Sequence, residues 1–92
     1  MGFTRNEAIE AARQDLAKRL GIDEDSVEEV SVTDKDFPDM SLGAPVEDEM
    51  AAQMISTGWQ IEFGVNGDTY EYRADKFHIR LVDFEGQNYV VD

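Results

Sequence analysis

The stretch WQIEFGVNGDTYEYRA, residues 59–74, decides the fold. Apolar and polar residues alternate on both sides of Asn66-Gly67, a dipeptide that favours the positive φ angles of a type I′ hairpin turn. Closing the chain at this turn fixes the register of two antiparallel strands and gives the hairpin one apolar side. The facing pairs on that side are predicted to be Phe63 with Tyr70, Ile61 with Tyr72, and Trp59 with Ala74.

The other side of the hairpin is polar, and it indicates a third strand. Gln60 is predicted to face Arg73, whereas Glu62 faces Glu71, a pair of like charges. If Asp75-Lys76 reverses the chain, Arg80 comes opposite Glu71 and neutralises it. The same register places Ala74 opposite Phe77, Tyr72 opposite Ile79, and Tyr70 opposite Leu81. Because the apolar side and the charges agree on one register, we predict a three-stranded meander.

An amphipathic helix is predicted upstream, over residues 5–20. Thr4 and Glu7 have the spacing of a capping box, and Gly21 suits the left-handed position that follows a helix. The apolar residues that recur at three- and four-residue steps are Ile9, Ala12, Leu16 and Leu20.

Between helix and hairpin, the pattern predicts a strand over Val27 to Thr33 and then a long loop over residues 34–50. Residues 89–91 fit either a further edge strand or a packed tail. We therefore expect one α+β domain over residues 1–92, with the N-terminal helix on one face of an antiparallel sheet of about four strands. Trp59, Phe63, Tyr70, Tyr72 and Ile79 should form a common apolar layer beneath the helix.

Charge is the strongest global signal. The chain has 21 acidic and 8 basic residues, for a net charge of −13, and residues 22–49 contain a single base, Lys35. Such a polyanion is repelled by nucleic acids and by anionic membranes, so we expect neither as a partner. Self-repulsion of this size is relieved by screening, and the composition therefore suggests a halophilic cytoplasm.

The composition also limits the chemistry. There is no cysteine, which excludes disulfides, thiol catalysis and cysteinyl zinc sites. No apolar run approaches the ~20 residues of a membrane span, and no signal peptide precedes the helix, so a cytoplasmic protein is expected.

Single motifs argue against an enzyme. His78 lies on the polar side of a predicted strand without a second histidine, and we expect it to face solvent. Ser41 lacks the context of a nucleophile elbow. Asp34, Asp36 and Asp39 fail as a calcium loop because Pro38 stands where the third ligand is needed and the glycine of position six is absent. We expect no catalytic residue, cofactor or metal site; weak cation binding by this acidic stretch stays open.

Residues 47–55 allow two predictions. After Pro45, the acids at 47–49 suit the first turn of a short helix that would direct Met50, Met54 and Ile55 to the core. The alternative is an extended segment that leads into the hairpin.

The segment Asp39-Met40-Ser41-Leu42-Gly43-Ala44-Pro45 resembles a family of small, largely uncharacterised prokaryotic domains with an Asp-x-Ser-Leu-Gly-Cys-Pro loop. The resemblance continues through Gln53, the segment 58–61, and Tyr-Glu-Tyr at 70–72. Ala44 replaces the cysteine of that pattern, so any redox role of the thiol is absent here. More loosely, the layout is similar to PepSY domains, which implies a peptidase-inhibitor or folding-aid module.

The expected function is therefore a non-enzymatic, monomeric module that binds a protein or peptide through the loop and the adjoining sheet edge. The loop has a structural interpretation too, as a rigid turn that buries Leu42. The candidate binding residues are Asp39, Ser41, Leu42, Gly43, Pro45 and Gln53.

Overall fold

The computed structural model describes residues 2–46, 49–50 and 53–91. One helix, α1 (Arg5–Leu20), is followed by a 3₁₀ turn (Glu24–Ser26) and one antiparallel sheet. The strands are β1 (Glu28–Phe37), β2 (Ser56–Val65), β3 (Asp68–Ala74), β4 (Ile79–Phe84) and β5 (Gln87–Val90), and they lie side by side in chain order. The α+β class is confirmed, but the sheet has five strands, since residues near the C-terminus pair with β4 as an edge strand.

Helix α1 begins and ends where the sequence predicts. The Glu7 amide donates to Thr4 Oγ1 at 3.2 Å, and the Thr4 amide donates to Glu7 Oε1 at 2.9 Å, which completes the capping box. Gly21 adopts φ 68° and closes the helix. No helix in the described part of the chain is long and apolar enough to cross a membrane.

The β2–β3 hairpin has the predicted register, with Phe63 opposite Tyr70 and Trp59 opposite Ala74. Asn66 and Gly67 adopt φ angles of 51° and 88°, as a type I′ turn requires. The predicted apolar layer also forms: Trp59, Phe63, Tyr70, Tyr72 and Ile79 all belong to the core beneath α1. Burying a large apolar side chain stabilises a fold by about 1.5–3 kcal/mol, so this layer supplies much of the driving force.

Helix α1 is also fixed to the sheet by polar contacts. The Tyr72 hydroxyl donates to Asp15 Oδ2 at 2.8 Å, and the same oxygen accepts from Arg19 Nε at 2.7 Å. Burial, together with the contact to Asp15, raises the pKa of the Tyr72 phenol. The hydroxyl therefore keeps its proton and serves as a permanent donor to the helix.

The predicted register of β3 with β4 is wrong by two residues. Ala74 faces Ile79, not Phe77, and Arg80 faces Arg73 instead of Glu71. A four-residue loop replaces the Asp75-Lys76 turn because the Asp75 carboxylate accepts hydrogen bonds from the amides of Phe77 and His78. A shift of two residues does not change the side of the sheet that each residue faces. The predicted apolar layer is therefore correct although the predicted register is not.

The first strand is longer than predicted, and it reaches Phe37. Both faces of β1 meet solvent along most of its length, so an edge strand tolerates its charges. Lys35 Nζ donates to Gln60 Oε1 at 3.0 Å, and Thr57 Oγ1 donates to Asp36 at 2.8 Å. A bulge between Glu29 and Ser31 turns Val30 outward, where 56% of it is exposed.

The segment 38–46 crosses the sheet face opposite α1. Four residues of the segment or of the strand end before it are buried there: Phe37, Ser41, Leu42 and Ala44. Glu49, Met50 and residues 53–55 have no regular secondary structure, and the remainder of the predicted short helix lies outside the described residues. Met50, Met54 and Ile55 are exposed, so the expectation that they face the core is wrong.

Candidate functional site

The turn at residues 39–44 is organised by one carboxylate. Asp39 Oδ1 accepts from the Ser41 amide at 2.9 Å, from the Ser41 hydroxyl at 2.5 Å and from the Gly43 amide at 3.2 Å. The bond from the Ser41 hydroxyl, followed by those from the two amides, holds the pKa of Asp39 below its ordinary value. The carboxylate thus replaces secondary structure as the acceptor for this turn.

The same turn has an uncommon backbone. Leu42 and Gly43 both lie in the left-handed region, at φ 62° and 67°. A leucine rarely adopts this conformation, but here its side chain is fully buried between turn and sheet. A Cβ at position 43 would lie 2.9 Å from Arg73 Nη1. Glycine therefore meets two needs at this position, the positive φ and the space for a guanidinium.

Side chains from three strands hold the segment against the sheet. Arg73 Nη1 donates to the Leu42 carbonyl at 2.9 Å, and Asn88 Nδ2 donates to the Pro45 carbonyl at 3.0 Å. Arg80 Nη1 lies 3.4 Å from the carbonyl of Ala44. Because the carbonyls of a loop need partners when water is excluded, these donors fix its path.

The tightest of these contacts is an ion pair between Arg80 and Glu49. The two guanidinium nitrogens Nη1 and Nη2 each lie 2.5 Å from one carboxylate oxygen. Only 4% of the Arg80 side chain is exposed, against 22% for Glu49. The hydrogen bonds from Arg80 hold the pKa of Glu49 below its ordinary value, and burial opposes them. The pair is a bidentate fork that closes the far end of the segment.

A second polar cluster joins the start of β2 to the β3–β4 loop. The Ser56 hydroxyl donates to Asp75 Oδ2, and His78 Nδ1 lies 3.3 Å from Asp75 Oδ1. Burial alone would raise the pKa of Asp75, but the bonds from Ser56 and from the two loop amides outweigh it, and the pKa lies below its ordinary value. The side chain of His78 is 34% exposed and lies beside this carboxylate. It therefore faces solvent only in part, whereas the sequence predicted a fully solvent-facing residue.

The order of these groups does not fit nucleophilic catalysis. A serine nucleophile needs an imidazole next to its hydroxyl, with the carboxylate behind the ring. Here the carboxylate of Asp75 stands between Ser56 and His78. Within residues 2–46, 49–50 and 53–91, no three His, Asp or Glu side chains are placed to share a metal ion.

The predicted binding residues do not form one surface. Ser41 and Leu42 are buried and Asp39 is half-buried, whereas Gly43, Pro45 and Gln53 are exposed. Sequence reasoning missed the residues that hold the loop, namely Arg73, Arg80, Glu49 and Asn88. A lone arginine on the polar side of each of two inner strands was the available signal, since such a residue needs a partner when that face is covered.

The exposed feature next to this loop is the edge strand β1. It pairs with β2 on one side only, and nine of its ten residues are exposed or half-exposed. Four acids and one lysine lie along it. Pro38 follows directly and has no amide proton, so the edge that a further strand could pair with ends at Phe37.

Comparison with known proteins places most of the chain in one family. No curated protein and no solved structure matches it. The family model described as "Domain of unknown function (DUF8738)" matches residues 9–82, from within α1 to within β4. The cysteine form of the loop pattern is not found, because position 44 holds a fully buried alanine and the chain has no cysteine. The chain belongs to the DUF8738 family, a domain of unknown function.

Proposed function

We propose that this domain is a non-enzymatic binding module that takes up a basic, extended peptide segment of a partner protein as a sixth strand beside β1. The observation that carries the proposal is the open edge itself. Strand β1 has ten residues, nine of which pair with β2 on one side only, whereas the opposite edge strand, β5, has four residues. Strand addition uses main-chain hydrogen bonds, so a long exposed strand edge is its main structural requirement.

Charge supports a basic ligand. Glu28, Glu29, Asp34 and Asp36 lie on β1 against the single cation Lys35. A peptide with lysine or arginine at alternate positions would place its cations beside Glu29, Asp34 and Asp36, which share one side of the sheet. An acidic peptide would be repelled both by the edge and by the net charge of −13.

The main role of the loop in this proposal is to hold the end of β1 in place, and its direct contact with the peptide is secondary. Its buried residues Ser41 and Leu42 fix the chain directly after Phe37, which is itself 1% exposed. A strand end held in this way loses little conformational entropy when it accepts a partner. The exposed loop residues Gly43, Pro45 and Gln53 remain candidates for flanking contacts.

The test uses a synthetic peptide of alternating lysine and threonine or valine, titrated at low salt. We expect amide shifts along β1, binding that weakens about fivefold in Asp34→Lys, and little change in Asp68→Lys, which adds the same charge two strands away. A peptide with N-methyl groups on alternate amides, which removes hydrogen-bond donors, should not bind. Shifts confined to other strands, or equal binding of the N-methylated peptide, would reject strand addition.

A peptidase-inhibitor or folding-aid module of PepSY-like type is the alternative function. The support for it is the layout alone, a helix on an antiparallel meander. Inhibition of a peptidase by the native domain, but not by its Asp34→Lys variant, would favour this alternative. The domain would then contact the peptidase through the edge of β1. No cluster of metal-ligating side chains in the described ranges supports weak cation binding, the remaining alternative.

The acidic composition supports a working environment of high ionic strength. Between 0.1 M and 2 M potassium chloride, we expect the melting temperature to rise by about 5 °C or more, because screening relieves repulsion among 21 carboxylates. Differential scanning calorimetry at both salt concentrations measures the shift. A melting temperature that stays constant would indicate an ordinary acidic protein.

A further inference from the structure

Some of the large apolar side chains are exposed, and two of them lie at one end of the sheet. Among the described residues, large apolar side chains with more than three fifths of their surface exposed are Met50 at 98%, Met54 at 63%, Ile55 at 76% and Phe77 at 67%. Ile55 directly precedes β2 and Phe77 lies in the β3–β4 loop, so both are at the same end of the sheet; these two residues are termed the sheet-end patch. Scattered exposed apolar residues are ordinary, whereas exposed apolar residues that lie close together are typical of an interaction surface.

Hydrogen bonds bring the members of the patch together. Ile55 directly precedes Ser56, whose hydroxyl donates to Asp75, and the Phe77 amide donates to the same carboxylate at 2.8 Å. The start of β2 and the β3–β4 loop are thereby joined, with Ile55 and Phe77 on either side of the bond.

The patch is continuous with the edge proposed above. Phe37, the last residue of β1, pairs with Ser56, so Ile55 lies just beyond the point where β1 ends. A strand added beside β1 would lie about 10 Å from β2, because neighbouring strands are ~4.8 Å apart. Ligand residues that extend beyond the level of Phe37 need to cross only two strand widths to reach Ile55.

We infer that the ligand is bipartite, with apolar residues for the sheet-end patch joined to the basic segment that pairs with β1. This inference rests on the proposed function. Every strand pair in the sheet is antiparallel, and antiparallel pairing is the more stable kind. An added antiparallel strand has its N-terminal end beside the C-terminal end of β1. The apolar residues therefore precede the basic ones.

A second copy of the chain is a poorer occupant of the patch. Each copy has a net charge of −13, and two copies would bring carboxylates together without cations to neutralise them. A basic peptide with apolar residues satisfies both the patch and the acidic edge.

Three peptides test the inference: the basic segment alone, the same segment preceded by Leu-Phe-Gly, and the same segment followed by Gly-Phe-Leu. We expect the apolar-first peptide to bind about tenfold more tightly than the other two, as burial of an aromatic side chain implies. Ile55→Ser should remove most of that gain and leave the basic segment's binding unchanged. Val90→Ser, an exposed apolar residue on β5, is the matched control and should change neither.

The outcomes separate the two proposals. If the basic segment alone does not bind, the proposed function fails. If it binds and neither apolar extension improves the affinity, the bipartite ligand is wrong while the proposed function stands. An equal gain for the apolar-last peptide overturns the inferred order. Sedimentation showing a dimer that Ile55→Ser dissociates would assign the patch to a second copy and overturn the inference.

Discussion

Replacing Gly58 with alanine should destabilise the fold by about 3 kcal/mol or more, as measured by urea denaturation. A Cβ at this position would lie 2.0 Å from the Ala74 carbonyl oxygen and 2.9 Å from the Asp75 Cα. Both are backbone atoms of the neighbouring strand or its end, so no side chain can move to make room. The β2–β3 ladder would have to separate where Trp59 faces Ala74.

Gly64→Ala is the matched control on the same strand. Its Cβ would approach Val30 Cγ2 at 3.2 Å, and that side chain stands on an exposed bulge where it can move. We expect a change within about 1 kcal/mol, since the lower entropy of the unfolded chain partly offsets the contact. Equal destabilisation by both substitutions would show that loss of glycine in β2, and not the clash at Gly58, is responsible.

Glu49→Gln should cost about 3 kcal/mol at neutral pH, because it removes the carboxylate that contacts the buried guanidinium of Arg80. The amide keeps the shape of the carboxylate, so the loss reports charge and not packing. Glu10→Gln serves as control: Glu10 lies 3.9 Å from Arg13 with 61% of its side chain exposed. An exposed pair of this kind contributes under about 1 kcal/mol.

The pH dependence identifies the cause of the Glu49 effect. The pKa of Glu49 is lower in the folded chain, so its contribution is complete above the ordinary glutamate pKa of about 4.3 and is lost as pH falls through the lowered folded value. The difference in unfolding free energy between native protein and Glu49→Gln should therefore shrink below about pH 4.5. A difference that stays constant from pH 7 to pH 3 would show that the ion pair contributes nothing.

The parts of the fold that depend on neighbouring residues were predictable. Asn66-Gly67 specifies its own turn, and Thr4 with Glu7 caps the helix within a single turn. Together with the alternating apolar residues these signals gave α1, the β2–β3 hairpin and the side of the sheet that α1 covers. The Asp39–Gly43 turn is equally local, and a rigid turn that buries Leu42 is one of the two interpretations that its sequence allows.

The errors concern contacts between distant residues. Arg80 and Glu49 are 31 positions apart, and nothing near either residue indicates its partner. The β3–β4 register followed an apparent charge pairing with Glu71, but Arg73 on the same strand already contacts Glu71 at 2.7 Å. The candidate site was incomplete for the same reason: the loop motif is visible in the sequence, whereas the side chains that hold it come from β3, β4 and β5.

The bulge at Val30 has a consequence for aggregation. An open edge strand invites copies of the same chain to stack, and acidic side chains oppose this by repulsion. In molar salt the Debye length falls to about 3 Å, and that repulsion is largely lost. The kink that a bulge gives to the strand does not depend on ions. In concentrated brine we therefore expect the shape of β1, and not its charge, to limit stacking of copies on this edge.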